Sequence, residues 1–403
     1  MSWEKIKLGE LYDVHNGLSK GGKFFGSGFP FLTFSTVFNN FFIPNEITDF
    51  VQSTEKEQEN YSIQRGDVFI TRTSETSDEL GMSCVALKDY PKATYNGFTK
   101  RLRPKTEDVV LPEYIGYYLR MPSFRGEFKA FSTMTTRASL RNEDLLGLSV
   151  AVPPIETQHR IASILSAYDD LIENNQKQIK LLEEAAQRLY KEWFVDLRFP
   201  GYENVKIVDG VPEGWEKCLL SDVADVNKLN LPKNNEYDSI DYIDLSSVKK
   251  GHILEKTRYK INEAPGRAKR LAIDGDIIWG MVRPNLCSYA LVMHPNERDV
   301  FSTGFAVISS KKVPFSYLYC LATEESFIGY LVNCTNGAAY PAIKPIHFEE
   351  AKILKPVDEI LNQFHSIAEP IYRKIEALDK MVISLAEARD RLLPKLMSGE
   401  IEV

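Results

Sequence analysis

The stretch from Gly17 to Gly28, GLSKGGKFFGSG, carries two spacings that could hold a cofactor. Gly17 to Lys23 spells G-x-x-x-x-G-K, the frame of a phosphate-cradling P-loop. Phe25 to Gly28 spells F-G-S-G, like the glycine loop that holds S-adenosylmethionine in DNA methyltransferases. A P-loop needs a Ser or Thr after its Lys to hold magnesium, and it must join a buried strand to a helix whose N-terminus receives the phosphates. Here Phe24 follows Lys23, the preceding YDVHNGLSK is polar, and the following FPFLTF reads as a strand. An aminomethyltransferase also needs an Asn or Asp before Pro-Pro and an aromatic, to hold the target amino group; Pro153-Pro154 lies between Val152 and Ile155. The six histidines are scattered without an H-E-x-x-H, and no carboxylate, carboxylate, lysine arrangement suggests a nuclease. His159 reads as a capping or surface residue. No catalytic residue, cofactor or metal is expected, and the chain reads as a binder.

The elements that would position such a binder are written twice, and repeats of this kind decide the fold before anything else does. SWEKIKLGELYDV returns as GWEKCLLSDVADV, with Trp3 matching Trp215 at a separation of 212, and GDVFI at Gly66 returns as GDIIW at Gly275, 209 on. Gly97-Phe98 matches Gly304-Phe305, Pro112 matches Pro314, and Pro153 matches Pro356 at a separation of 203. The drift is loop lost from the second copy, which surface loops tolerate.

Each copy ends in a long amphipathic pattern. Ile161, Tyr168, Asn175, Leu182 and Leu189 fall seven apart, and adding 203 to each gives Phe364, Ile371, Leu378, Leu385 and Leu392. Ile164, Leu165, Leu171, Ile172 and Ile179 widen the first stripe; Ile367, Met381 and Ala388 widen the second. Heptads in identical register argue for two helices packed as a coiled coil. The first helix is predicted from Pro153-Pro154 to about Trp193, roughly 38 residues and about 55 to 60 Å, a spacer longer than a small domain. Asn175 stands in the seam where its counterpart is Leu378, a substitution that commonly fixes register. Between Trp3 and Pro153 strand-like and helix-like runs mix. The predicted class is α/β (α+β): two tandem mixed domains, each followed by a long helix, the helices forming an antiparallel coiled coil with pseudo-twofold symmetry. The predicted segments are 1–153, 154–199, 200–356 and 357–403.

At 403 residues, 43% hydrophobic and 26% charged, the chain has the composition of a folded protein of two or three domains. Five widely spaced cysteines without a C-x-x-C pair suggest reduced packing residues. No apolar run is long enough for a membrane helix, and the start MSWEKIKLGE lacks the apolar core of a signal peptide, so a cytoplasmic location is expected. The net charge of −7 hides two basic windows. Lys92 to Arg141 holds ten Lys or Arg against four acids, and Lys249 to Arg283 nine against four. Such excesses at related places in two copies suit a polyanion.

The segment VPPIETQHRIASILSAYDDLIENNQKQIKLLEEAAQRLYKEWFVDLRFPGYE, followed by VPEGWEKCLLSDVADV, resembles the central conserved region of type I restriction-modification specificity (S) subunits. The second copy departs from the pattern, with VDEILNQFHSIAEPIYRKIEALDK and Pro370 inside the helix, which would weaken its first turns. The resemblance implies a subunit without chemistry of its own. Each domain would read one half of a bipartite, asymmetric double-stranded DNA target. The helix pair would set the spacer and dock two methyltransferase subunits, and restriction motor-nuclease subunits would join them. The alternatives are a self-contained DNA methyltransferase or nuclease using the Gly17 to Gly28 loop, and a coiled-coil scaffold with no DNA role.

Phosphate contacts give register and base-edge contacts give sequence. In the first domain the expected DNA-binding residues lie on polar loops: Lys20 and Lys23; Thr71 to Thr76 with Arg72, Thr73 and Ser74; and Ser132 to Arg141 with Thr135, Thr136, Arg137 and Arg141. Their expected counterparts are Lys233, Asn234 and Asn235, then Arg283 with Asn285, then Asn336, Tyr340 and Lys344. Helix-pair packing is expected from Ile161, Tyr168, Leu182, Leu189, Phe364, Ile371, Leu378, Leu385 and Leu392. The glycine stretch itself reads as a flexible loop whose lysines suit a phosphate backbone.

Overall fold

The computed structural model describes residues 3–74, 80–106, 108–131, 138–232, 234–335 and 341–403. The chain divides into two compact units, Met1–Glu173 with Val382–Val403, and Asn174–Met381. Each unit therefore takes a recognition-domain-sized segment and a stretch of each long helix.

In the first unit a four-stranded antiparallel sheet has the order Tyr12–Asn16, Thr99–Pro104, Val68–Thr71, Ser83–Val85. The second unit repeats that order with Ala224–Val226, Phe305–Ser310, Ile277–Gly280, Tyr289–Leu291. The registers repeat too: Val68 pairs with Leu102 and Ile277 with Ile308; Glu4 pairs with Val152 and Glu216 with Lys355. Aligned by hydrogen bonds, the separation falls from 212 at Tyr12 and Ala224, to 209 at Val68 and Ile277, to 206 at Leu102 and Ile308, to 203 at Val152 and Lys355. The drift is a net loss of three residues in each of the three intervals.

This ladder corrects two sequence matches by one residue. Thr71 faces Thr99 and Gly280 faces Phe305, so Phe98 corresponds to Gly304 and not to Phe305. Tyr114 hydrogen-bonds the Ala151 carbonyl as Tyr317 does that of Leu354, so Pro112 corresponds to Phe315 and not to Pro314.

The glycine stretch is built into the sheets. Gly22–Phe24 makes one tight turn, and Phe25–Leu32 is a strand paired with Phe50–Val51 through a bulge. A Cβ on Gly28 would stand 2.6 Å from the Val51 carbonyl oxygen, and one on Gly17 2.1 Å from that of Asn96. Both glycines are thus demanded by backbone crossings, and FGSG is bulged strand where a flexible loop was expected.

The first helix, Ile155–Tyr190, continues into a wider turn at Lys191–Val195; the second, Asp358–Ser398, runs unbroken through Pro370. The expected weakening of its first turns is absent, and Pro370 is exposed on the helix surface. In the first unit Ile161 and Leu165 share a core with Leu393, Leu396 and Met397, while Asp169 meets Arg389 at 2.5 Å, so the segments run antiparallel. In the second unit Tyr190, Trp193 and Phe194 pack on Phe364, and Glu183 and Asp379 flank His252. Ile161, Phe364 and Leu378 are buried; Tyr168, Leu182, Leu189, Ile371, Leu385 and Leu392 are half-buried. Leu171, Ile367 and Met381, expected to widen the stripes, are instead about half exposed, lying on the opposite flank of the helical turn. Asn175 is buried, and its Nδ2 has no hydrogen-bond partner. All five cysteines are free. Among the described residues no helix is long and apolar enough to cross a membrane.

Candidate nucleic-acid interface

In the first unit three chain segments meet at one end of the four-stranded sheet. The strand Val68–Thr71 starts from a turn in which buried Asp67 accepts Gln64 N at 2.8 Å, and it delivers Arg72 to the opposite end. There Arg72 N donates to Phe98 O at 3.0 Å and Arg72 O accepts from Leu140 N at 3.0 Å. Thr73–Ser74 then pairs with Ala138–Ser139, which brings the two loops expected around Arg72 and Arg141 together. The third segment follows the strand Tyr12–Asn16: Leu18 N donates to Tyr95 O at 2.9 Å, and Asn16 Oδ1 accepts from Arg72 Nη1 at 3.4 Å. The result is a rim of Asn16, Arg72, Phe98 and Arg141, gathered by backbone hydrogen bonds at one end of the sheet.

The two expected lysines of the glycine stretch divide. Lys20 is turned inward, 2.8 Å from Glu57 Oε2 and 2.5 Å from the Gln52 carbonyl oxygen. The Lys20 hydrogen bond, with that of Thr54 N–H, holds the Glu57 carboxyl below its ordinary range. Lys23 stays exposed, over the Phe24 ring at 5.1 Å. Lys20 therefore fastens the loop, and Lys23 is the one that faces solvent. Arg141 is exposed at the start of the short helix Asn142–Gly147. Thr135, Thr136 and Arg137 lie outside the described residues.

The second unit closes its rim by the same bonds. Met281 N donates to Gly304 O at 2.8 Å and Ile343 N to Met281 O at 2.8 Å, so Met281 occupies the place of Arg72. Arg283, expected as that counterpart, lies two residues on, with its N–H on Pro341 O at 2.8 Å and a left-handed φ of 49°. Asn285 is exposed in the turn Pro284–Leu286, and Lys344 is exposed just before Pro345–Glu349, as Arg141 is before its helix. Asn234 is exposed, whereas Asn235 spends its amide locally on Pro232 O and Tyr237 N. Lys233, Asn336 and Tyr340 lie outside the described residues.

The structure adds residues that sequence reasoning missed. Lys100 is buried, its Nζ bonded to Asn142 Oδ1; burial, then the Arg72 charge, lower its pKa while Asp144 raises it. Strand alternation in TKRLRP was the available signal, since it puts Lys100 on the face of Leu102. In the second unit Leu231 N donates to Lys269 O and Arg270 Nη1 to Asn230 Oδ1 at 2.7 Å, while Thr303 N donates to Arg267 O. Those bonds hold Lys269 and Arg270 beside the loop expected around Asn234, and tie Arg267 to the turn that precedes Gly304. The basic windows are only partly surface. Arg120 is spent on the Val37, Phe38 and Asn40 carbonyls, Arg103 on Asp67, and Arg258 on Asp241.

Among the described residues no group of His, Cys, Asp and Glu is arranged to hold a metal ion. Residues 1–184 match the family described as type I restriction modification DNA specificity domain. The chain is 27% identical to the type I restriction enzyme MjaIX specificity subunit of Methanocaldococcus jannaschii, over 100% of this chain and 94% of that one. It is 23% identical to the type I restriction enzyme HindI specificity subunit of Haemophilus influenzae, over 99% of each. Among solved structures, the S subunit of a type I restriction-modification system from M. genitalium has the same fold, with a TM-score of 0.60 at 15% identity over 98% of this chain and 96% of that one.

Proposed function

We infer, from the premise that residues 1–184 match the family described as type I restriction modification DNA specificity domain, that the whole chain is the DNA-specificity subunit of a type I restriction-modification system. The observation that carries the reading is the repeated rim. Two units that share the order of one four-stranded sheet each end it in a strand-tied set of polar and basic loops, with different residues at equivalent places: Arg72 against Met281, Phe98 against Gly304. Residues 1–153 read one half of a split target and residues 200–356 the other. The helical segments 154–199 and 357–403 set the spacer and dock two methyltransferase subunits, to which restriction motor-nuclease subunits are added. Two differing domains in one chain give an asymmetric target where a homodimer would give a palindrome. The chain binds and positions, and catalysis belongs to its partners.

The decisive experiment is a map of methylated adenine in a host genome with and without the gene. The map is expected to show one bipartite motif that vanishes with the gene. Exchanging residues 1–153 for those of a relative changes one half-site, and inserting one helical turn after Pro154 changes the spacer. A change in both half-sites on that exchange, or tight S-adenosylmethionine binding by the isolated chain, sinks the reading.

A further inference from the structure

Phe98 lies on the first unit's rim with 54% of its surface exposed, yet its backbone is held on both sides. Its N–H donates to Asn96 Oδ1 at 2.7 Å and its carbonyl accepts from Arg72 N at 3.0 Å. The loop is also held from below, because a Cβ on the preceding Gly97 would stand 2.2 Å from Ser19 Oγ. A ring kept in water by a fixed backbone, beside an Arg72 to Asn16 hydrogen bond of 3.4 Å, is set out for a ligand that has an apolar spot among polar edges. The same place in the second unit holds Gly304, with no side chain at all.

We propose that Phe98 is a base-reading residue of the first recognition domain, its ring covering the C5-methyl group of a thymine in the major groove. The proposal rests on the DNA-specificity reading above. Phenylalanine has no donor or acceptor, so the sequence information it can take from a major-groove edge is the thymine methyl group; the neighbouring Asn16 and Arg72 carry the groups that read hydrogen-bonding edges. Because Gly304 replaces it, the second half-site has no such contact at the equivalent position. The two half-sites then differ in kind as well as in sequence.

The test uses the full chain assembled with its methyltransferase partners. A random duplex library first yields the bipartite target, and each thymine of the first half-site is then replaced by deoxyuridine, which removes only the methyl group. The wild type is expected to lose about fourfold in affinity at one thymine, the value of one buried carbon group. Phe98→Ala binds the thymine and deoxyuridine duplexes equally at that position and keeps the second half-site, while Phe98→Leu retains part of the discrimination. Equal sensitivity of wild type and Phe98→Ala at every thymine overturns the proposal, as does a first half-site without thymine. Loss of affinity by Phe98→Ala that is blind to the methyl group, together with reduced DNA bending by fluorescence energy transfer, assigns the ring to a wedge between bases and also overturns it. Failure of the wild type to select any sequence would overturn the DNA reading itself.

Discussion

Replacing Asp67 and Asp276 by asparagine, one at a time, separates two ways of burying a carboxylate at equivalent places. Each aspartate is buried and accepts a turn N–H from three residues earlier, Gln64 N and Ile273 N, both at 2.8 Å. Asp67 also receives both arms of Arg103, Nε at 2.7 Å and Nη2 at 2.6 Å, whereas Asp276 has the Ser309 hydroxyl in the corresponding place. Asparagine keeps an acceptor for the turn but removes the charge. Breaking a buried ion pair costs about 3–5 kcal/mol. Arg103 is 28% exposed and keeps the Ser62 carbonyl at 3.1 Å, which puts Asp67→Asn near the low end. A loss of about 3 kcal/mol corresponds to roughly 6–12 °C of melting temperature in a unit of this size. For Asp276, burial raises the carboxyl above its ordinary 3.8, so its charge opposes folding. The folded state holds that proton longer than the unfolded one, and stability falls as pH rises from 3.8 through the raised value. Asp276→Asn removes this dependence and changes stability at neutral pH by no more than about 1 kcal/mol. Calorimetry of the full chain, with hydrogen exchange to assign each transition to its unit, reads both. Equal costs for the two substitutions, or a loss under about 1 kcal/mol for Asp67→Asn, would refute the argument.

Three further outcomes are expected. His252 lies 3.4 Å from both Glu183 and Asp379, and the Asp379 hydrogen bond holds its imidazole above the ordinary 6.5. Its contribution to stability is therefore complete below 6.5 and lost as pH rises through the raised value, so His252→Gln should flatten the melting profile in that window. Asn175→Leu removes an unpaired buried amide and should raise stability by about 1–3 kcal/mol in denaturant unfolding; an unchanged or lower midpoint would argue that the amide is satisfied in solution. Lys23→Ala should weaken binding to all DNA sequences alike and reduce the slope of log affinity against log salt by about 1, while Lys20→Ala, already neutralised by Glu57, leaves the slope unchanged.

The repeat, the two long helices and the fold class were legible because they are local: Trp3 and Trp215, or Ile161 and Phe364, announce themselves by spacing alone. The failures share a physical cause. Matching Phe98 to Phe305 followed residue identity, but the ladder that pairs Thr71 with Thr99 and Gly280 with Phe305 is made by backbone groups that leave no trace in residue type. Lys20 looked free because its partner Glu57 is 37 residues away, and Arg120 looked like surface charge because the carbonyls it binds belong to Val37, Phe38 and Asn40. The loops at the rim were legible as regions. Which side chain in each faces outward depends on such distant partners.

The first unit owes part of its core to the far end of the chain, since Leu393, Leu396 and Met397 pack with Leu8, Tyr114 and Ile161. The second unit is one uninterrupted stretch from Asn174 to Met381. On a ribosome the units are then completed in the reverse of the order in which they are begun. The domain made first is left with an open apolar face while more than half of the chain is still being added, an interval on the order of tens of seconds. The domain made second can close at once. Shortening the chain by its last turns would therefore unmake the half that was translated first, so an error at one terminus falls on the unit built mostly from the other.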